Sequence, residues 1–258
     1  MHNLLRMDLY RMKKATGFIV TLILSFVFAA AQTPLGLLLS NLARMLDSSV
    51  SASLLPASVP LASFLSAPLP FLNAMLALLS AAFFFYADVE FGYIKNIAGQ
   101  MPKKGYTLLS KYFAIALHNL LFMIVGVLGG LLGSVFIQKI TLGDDLARGF
   151  LDFGLKFLLL QALCTVLLFV CSVLRSKSLG TVLAVLLGSG MMFLLYSGLS
   201  SSLNNLLRLK DFALEDYMPD QLLGADHPDP LTALLSAAVT ICLFLPLSIR
   251  VFDRRDVK

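Results

Sequence analysis

The chain is 258 residues long, 58% hydrophobic and only 14% charged, with a mean hydropathy of +0.86. Soluble domains carry about a quarter charged residues, so this composition excludes an ordinary soluble globular domain; the long apolar runs lack the alternation of membrane-spanning strands and fit helical crossings of roughly 20 residues. The net charge of +5 fits Lys and Arg gathered on the cytoplasmic side of a membrane better than it fits nucleic-acid binding.

In chain order, residues 1–16 place Arg6, Arg11, Lys13 and Lys14 among Leu5, Leu9 and Met12, which share one helical face. This predicts an amphipathic helix lying in the headgroup plane. The first crossing is expected over 18–39. Its basic start and Ala29-Ala30-Ala31 are signal-like, but the apolar pattern resumes at Leu35, so the segment is expected to be retained. Residues 40–67 read as an outer loop close to the membrane, and a second crossing is expected over 70–87.

A long charged stretch follows, from Asp88 to Lys111, and contains Glu90, Gly92, Lys95, Asn96, Pro102, Lys103 and Lys104. A third crossing is expected over 113–137, where Gly126/Gly130 and Gly129/Gly133 repeat the small-xxx-small spacing that lets another helix approach closely. His118 and Asn119 sit near its start and read as hydrogen-bonded packing groups. The fourth crossing is expected over 154–174, with Asp152 and Lys156 spaced as an i,i+4 pair and Gln161 as helix–helix glue. A tight turn at Arg175-Ser-Lys177 leads to a fifth, over 179–199, whose Ala184 and Gly188 form another close-approach pair. Residues 200–230 read as a long acidic outer loop. Within it Asp226, His227 and Asp229 lack a further spaced ligand and are expected to be solvated, with no metal bound. A sixth crossing, over 231–249, precedes a basic C-terminus. The three cysteines, Cys164, Cys171 and Cys242, all fall in apolar runs and read as inert thiols.

Six Lys/Arg residues (Arg44, Lys139, Arg148, Lys156, Arg208, Lys210) fall on one side of this topology. The other fourteen of the twenty fall on the side holding both termini and the 88–111 loop. The bias predicts that both termini are cytoplasmic. The expected fold is therefore an all-α polytopic integral membrane protein, a single domain of six transmembrane helices preceded by an interfacial helix.

No Gly-rich phosphate loop, His-Glu-x-x-His, Gly-x-Ser-x-Gly or intramembrane carboxylate pair occurs in the sequence. The residues alone thus predict no catalysis, no metal and no cofactor on this chain. The order Glu90, Gly92, Lys95-Asn96, Pro102-Lys103-Lys104, Lys111, within a six-span pattern ending in Phe252-Asp253-Arg254-Arg255-Asp256, resembles the membrane subunit of small bacterial ABC-2 type ATP-binding cassette transporters. Lys103 and Lys104 stand where many relatives carry Arg, a departure for any bidentate carboxylate contact there.

The resemblance implies a separate ATPase subunit, carrying ATP and Mg, docked on the 88–111 loop. It also implies a second permease chain, a translocation path between the two, and a site in the bacterial plasma membrane with export of a peptide or amphipathic substrate such as an antimicrobial peptide. Two alternatives stand beside it: a secondary transporter or intramembrane enzyme, and a peptide-immunity component that binds without transporting.

Overall fold

The computed structural model describes residues 2–46, 58–67, 71–90, 105–143, 145–174, 176–207 and 213–254. The described elements run α1 (His2–Lys14), α2 (Thr16–Leu46), β1 (Ser58–Pro60), α3 (Leu61–Ser66), α4 (Phe71–Glu90), α5 (Gly105–Val135), β2 (Lys139–Thr141), α6 (Leu146–Leu174), α7 (Lys177–Gly188) and α8 (Phe193–Leu207). A 3-10 turn (Leu214–Tyr217), α9 (Pro219–Gly224) and α10 (Pro230–Asp253) complete them. Helix dominates because backbone polar groups in lipid must be satisfied within their own segment.

Four helices (α2, α5, α6 and α10) are long and apolar enough to cross a membrane, and α7 with α8 makes a fifth where the bent pair counts as one crossing. α4 is apolar over Leu72–Ala87, a shorter stretch. At 1.5 Å per residue the 31 residues of α5 extend about 46 Å, well beyond a hydrocarbon core of about 30 Å.

α6 is the central helix. Leu159, Leu160, Leu163, Leu167 and Leu168 are buried in it, and α3, α4, α7, α9 and α10 pack around it. The second seam joins α2 to α5, and small residues set its closeness. A Cβ added at Gly129 would lie 2.5 Å from the Phe26 carbonyl oxygen, one at Gly133 would run into the Ala30 carbonyl, and Gly126 faces Ser25. Gly130 on the same helix faces Phe64 of α3. A third close approach puts Gly188 of α7 against the Met75 backbone of α4, with Ala184 fully buried one turn earlier. Gly180 continues this stripe against Tyr86, whose hydroxyl donates to the Ser176 carbonyl at 2.6 Å.

Several boundaries differ from the sequence expectations. α2 runs on to Leu46 through Pro34, and α5 begins at Gly105 in place of 113. The segment read as a single fifth crossing is two helices bent by 76°. The break falls at 189–192, where Gly190 adopts φ +69°, a conformation glycine takes without a Cβ penalty. The two segments read as outer loops are partly ordered. β1 pairs in parallel with β2 (Ser58 with Lys139, Pro60 with Thr141), and α3 follows directly. Of the 200–230 segment, α8 occupies residues to Leu207, and the 3-10 turn and α9 lie against the bundle.

The end of the bundle opposite the termini is tied by polar contacts the sequence spacing does not reveal. Asp152 lies near enough to Lys156 to favour its charge, and each side chain also reaches another segment. Asp152 Oδ2 lies 2.8 Å from His227 Nδ1. Lys156 Nζ donates to the Ser66 carbonyl at 2.5 Å and reaches the Asp226 carbonyl at 3.4 Å. Gly149 lets the Ala62 backbone of α3 lie against α6. Asp229, expected in a solvated loop, caps α10 by accepting from the Thr232 N–H at 2.9 Å and its hydroxyl at 2.7 Å. Among the described residues no cluster of three metal-ligating side chains occurs.

At the break between α7 and α8, Gln221 of α9 donates to the Gly190 carbonyl at 3.2 Å and to Asp220 Oδ2 at 3.0 Å. Burial pushes the Asp220 carboxyl above the ordinary carboxylate value of 3.8, against the hydrogen bonds from Gln221 and Tyr196. A raised acid favours its neutral form in the folded state, so stability is lost as pH rises from the ordinary carboxylate range through the raised value. Asp220→Asn is expected to raise the apparent melting temperature at neutral pH and to leave it unchanged in acid. Melting curves of the detergent-solubilised pair of proteins against pH check this; a variant less stable at every pH contradicts it.

Candidate functional site

The sequence places its candidate site between α4 and α5, and the structure narrows that segment. Lys111 lies inside α5, not in a loop, and Glu90 is the last residue of α4. The polar connection is therefore 91–104, bounded by two helix ends. Gly92, Lys95, Asn96, Pro102, Lys103 and Lys104 lie outside the described residues.

The two helix ends that bound that connection are fastened by contacts among α1, α2, α4, α5 and α10. α5 starts early because its N-terminal groups find partners elsewhere in the chain. The Gly105 N–H donates to Asp253 Oδ1 at the end of α10, which satisfies one of the amides that every helix start leaves open. The Asp253 charge also suits the positive end of the helix dipole. The approach needs glycine, since a Cβ at position 105 would lie 2.6 Å from Ile249 Cγ2. One turn on, Ser110 Oγ donates to Asp8 Oδ2 of α1 at 2.5 Å, and Asp8 also pairs with Arg11 at 3.5 Å.

α1 buries Leu4, Asp8 and Met12, with Leu5 and Leu9 partly buried beside them. The buried stripe is thus rotated by about one residue from the expected Leu5/Leu9/Met12 face, because the Asp8–Ser110 contact turns it toward α5.

Lys111 is 1% exposed, and its Nζ sits 4.5 Å from the centre of the Phe84 ring of α4. A cation over an aromatic face in a desolvated setting is attracted by the ring quadrupole. Phe84 also meets Phe18 of α2 edge-on at 5.1 Å, and Phe18 meets His118 at 4.3 Å. Phe85 of α4 packs against Phe252 of α10 at 6.3 Å. The helices entering and leaving the polar connection are thereby fastened to each other and to both ends of the described chain.

Two further expectations resolve in the interior. His118 Nε2 lies 3.5 Å from Thr21 Oγ1, and Asn119 Nδ2 reaches Cys164 Sγ at 3.3 Å, so both bridge helices. Gln161 is buried in α6 with neither amide atom hydrogen-bonded. Cys164 and Cys171 are buried and Cys242 is exposed, all three as free thiols.

Asp8, Gly105, Gly149 and Gly180 were not singled out from the sequence, and Asp253 was named only as part of the C-terminal ending. Only Asp8 carried a signal, as the one acid in a basic segment. The others act through partners far away in the chain, which no local pattern announces.

Comparison with protein-family models, with curated proteins and with solved structures finds no match to this chain.

Proposed function

We propose that this chain is the membrane subunit of an ATP-binding cassette transporter, with its ATPase on a separate chain docked at residues 91–104. In this reading six segments cross the bacterial plasma membrane. The short α4 is the second crossing and the bent α7–α8 pair the fifth. Both termini are cytoplasmic, α1 lies at the interface, and a second permease chain completes the path for export of a peptide or amphipathic substrate.

The observation that carries the reading is the fastening around the polar connection. A partner that moves 91–104 pulls directly on α4 and α5. Through Asp253–Gly105, Asp8–Ser110 and Phe85–Phe252 it also pulls on α10 and α1. A flexible positive-inside loop needs no such fastening. The charge bias toward the same side agrees with it. The resemblance in residue order between Glu90 and Lys111 points to the kind of partner.

The test is affinity purification of the tagged chain from its native membrane in mild detergent, with identification of what accompanies it. A P-loop ATPase is expected to co-purify. Glu90→Ala and the double change Lys103→Ala/Lys104→Ala are expected to cut its recovery by about tenfold or more, the effect of losing an interface hot spot. Undiminished recovery and transport in both variants would sink the docking assignment. Transport by the purified chain alone, without nucleotide, would favour a secondary transporter.

A further inference from the structure

Away from the terminal end, α2, α4, α5 and the head of α6 line a half-open cavity of about 80 Å³ beside the short helix α3. Phe64 and Leu65 come from α3, Phe122 and Met123 from α5, Phe153 from α6 and Asn73 from α4. The space exists because the wall of α5 carries glycine at two positions. A Cβ at Gly130 would lie 3.4 Å from Phe64, and one at Gly126 would lie 3.4 Å from Ser25 Oγ.

Asn73 is the feature that gives this cavity a chemistry. It is 2% exposed, lines the cavity, and its Oδ1 has no hydrogen-bond partner. Leaving a buried acceptor unsatisfied costs about 1–3 kcal/mol, and leucine or alanine at this helical position would avoid that cost. Among the described residues the lining holds no charged side chain. A cationic or anionic group would therefore be stripped of water with nothing opposite it.

The α3 wall of the cavity is held from outside, not by its own helix. α3 is pinned to α6 by Lys156 Nζ on the Ser66 carbonyl and by the Gly149–Ala62 contact, and β1 ties it to β2. Several waters fit in this volume, and so does the end of a small organic molecule.

We propose that this cavity is a binding pocket for the uncharged end of an amphiphile, a hydroxyl or amide donor on a short apolar body, with the donor on Asn73 Oδ1 and the body against Phe64, Phe122, Met123 and Phe153. The same chemistry is offered by a neutral lipid group and by a transported amphiphile. The pocket does not depend on the transporter reading, because binding is read on the isolated chain with no ATPase present.

The test uses 3-fluoropropan-1-ol, which carries one O–H donor, and 1,3-difluoropropane, a similar molecule without it. Binding to the purified full chain is followed by fluorine NMR in detergent and in nanodiscs, with protein-free micelles and nanodiscs subtracted. The wild type is expected to prefer the alcohol by about tenfold, the upper range for one hydrogen bond. Asn73→Ala keeps the space and is expected to bind both probes equally. Gly130→Leu fills the space and is expected to bind neither.

Should Gly130→Leu fail to fold, the loss of preference in Asn73→Ala decides alone. Binding in detergent that vanishes in nanodiscs supports the pocket and identifies a lipid as its occupant, whereas binding in both supports a transported amphiphile. Equal affinity of the two probes for the wild type, or a preference that survives Asn73→Ala, overturns the proposal and leaves a cavity that holds water.

Discussion

Gly133→Leu is expected to abolish recovery of folded protein. The position faces the Ala30 carbonyl and the adjoining backbone of α2, and Gly129 one turn earlier faces the Phe26 carbonyl at 2.5 Å from an added Cβ. The obstacle is backbone on both occasions, so no rotamer change relieves it. Overpacking a tight site costs about 1–3 kcal/mol where side chains can adjust, and more where they cannot. Net stabilities are only about 5–15 kcal/mol, so the seam between α2 and α5 opens. The control is Gly154→Leu on α6, where an added Cβ meets nothing within 4 Å. Size-exclusion profiles and denaturant melts in mixed micelles compare the two. Wild-type behaviour of Gly133→Leu would show that the seam is not packed as described.

Lys156→Met should destabilise the chain by about 3–5 kcal/mol, the usual cost of removing one member of a buried charged network. Lys156 is 1% exposed, and its ammonium is the donor to the Ser66 carbonyl. Without it Asp152, also 1% exposed, keeps only the His227 ring as a side-chain partner among the described contacts. The double change Asp152→Asn/Lys156→Met is expected to recover most of the loss, because a buried neutral amide beside an apolar side chain carries no uncompensated charge. Limited proteolysis adds a local readout: the single variant should be cut faster within 58–67, since α3 loses its anchor. If Lys156→Met melts like the wild type and is cut no faster, the network is not what fastens α3.

Helical class and the main crossings were legible in the sequence because lipid imposes a simple rule on composition: long apolar runs with few charges. The glycine spacing on α5 was equally legible, since i,i+4 small residues fall on one face whatever the partner helix. What the spacing left open is which helix answers each face. Gly129 and Gly133 meet α2, while Gly130 meets α3.

Helices run past the expected crossing limits where a distant group extends them. Nothing between 100 and 113 foretells that Asp253 will cap Gly105 or that Asp8 will meet Ser110. The Asp152–Lys156 spacing gave a reasonable local pair, yet each side chain found a partner in another segment. Short, polar, proline-marked stretches such as 58–67 and 213–229 carry weak periodicity, so their order comes from docking and not from propensity.

The two main seams also impose a timetable on synthesis. α2 leaves the ribosome long before α5, its partner, and the contacts that close the pair span 97 to 101 residues of chain. α6 waits for α10 in the same way, and the Asp253–Gly105 contact joins residues 148 positions apart. Each early helix must therefore reside in the bilayer with its small-residue or polar face against lipid until its mate is inserted. α10 closes both the bundle around α6 and the contacts at the head of α5, so a chain stalled before α10 carries the earlier described helices yet lacks their shared partner.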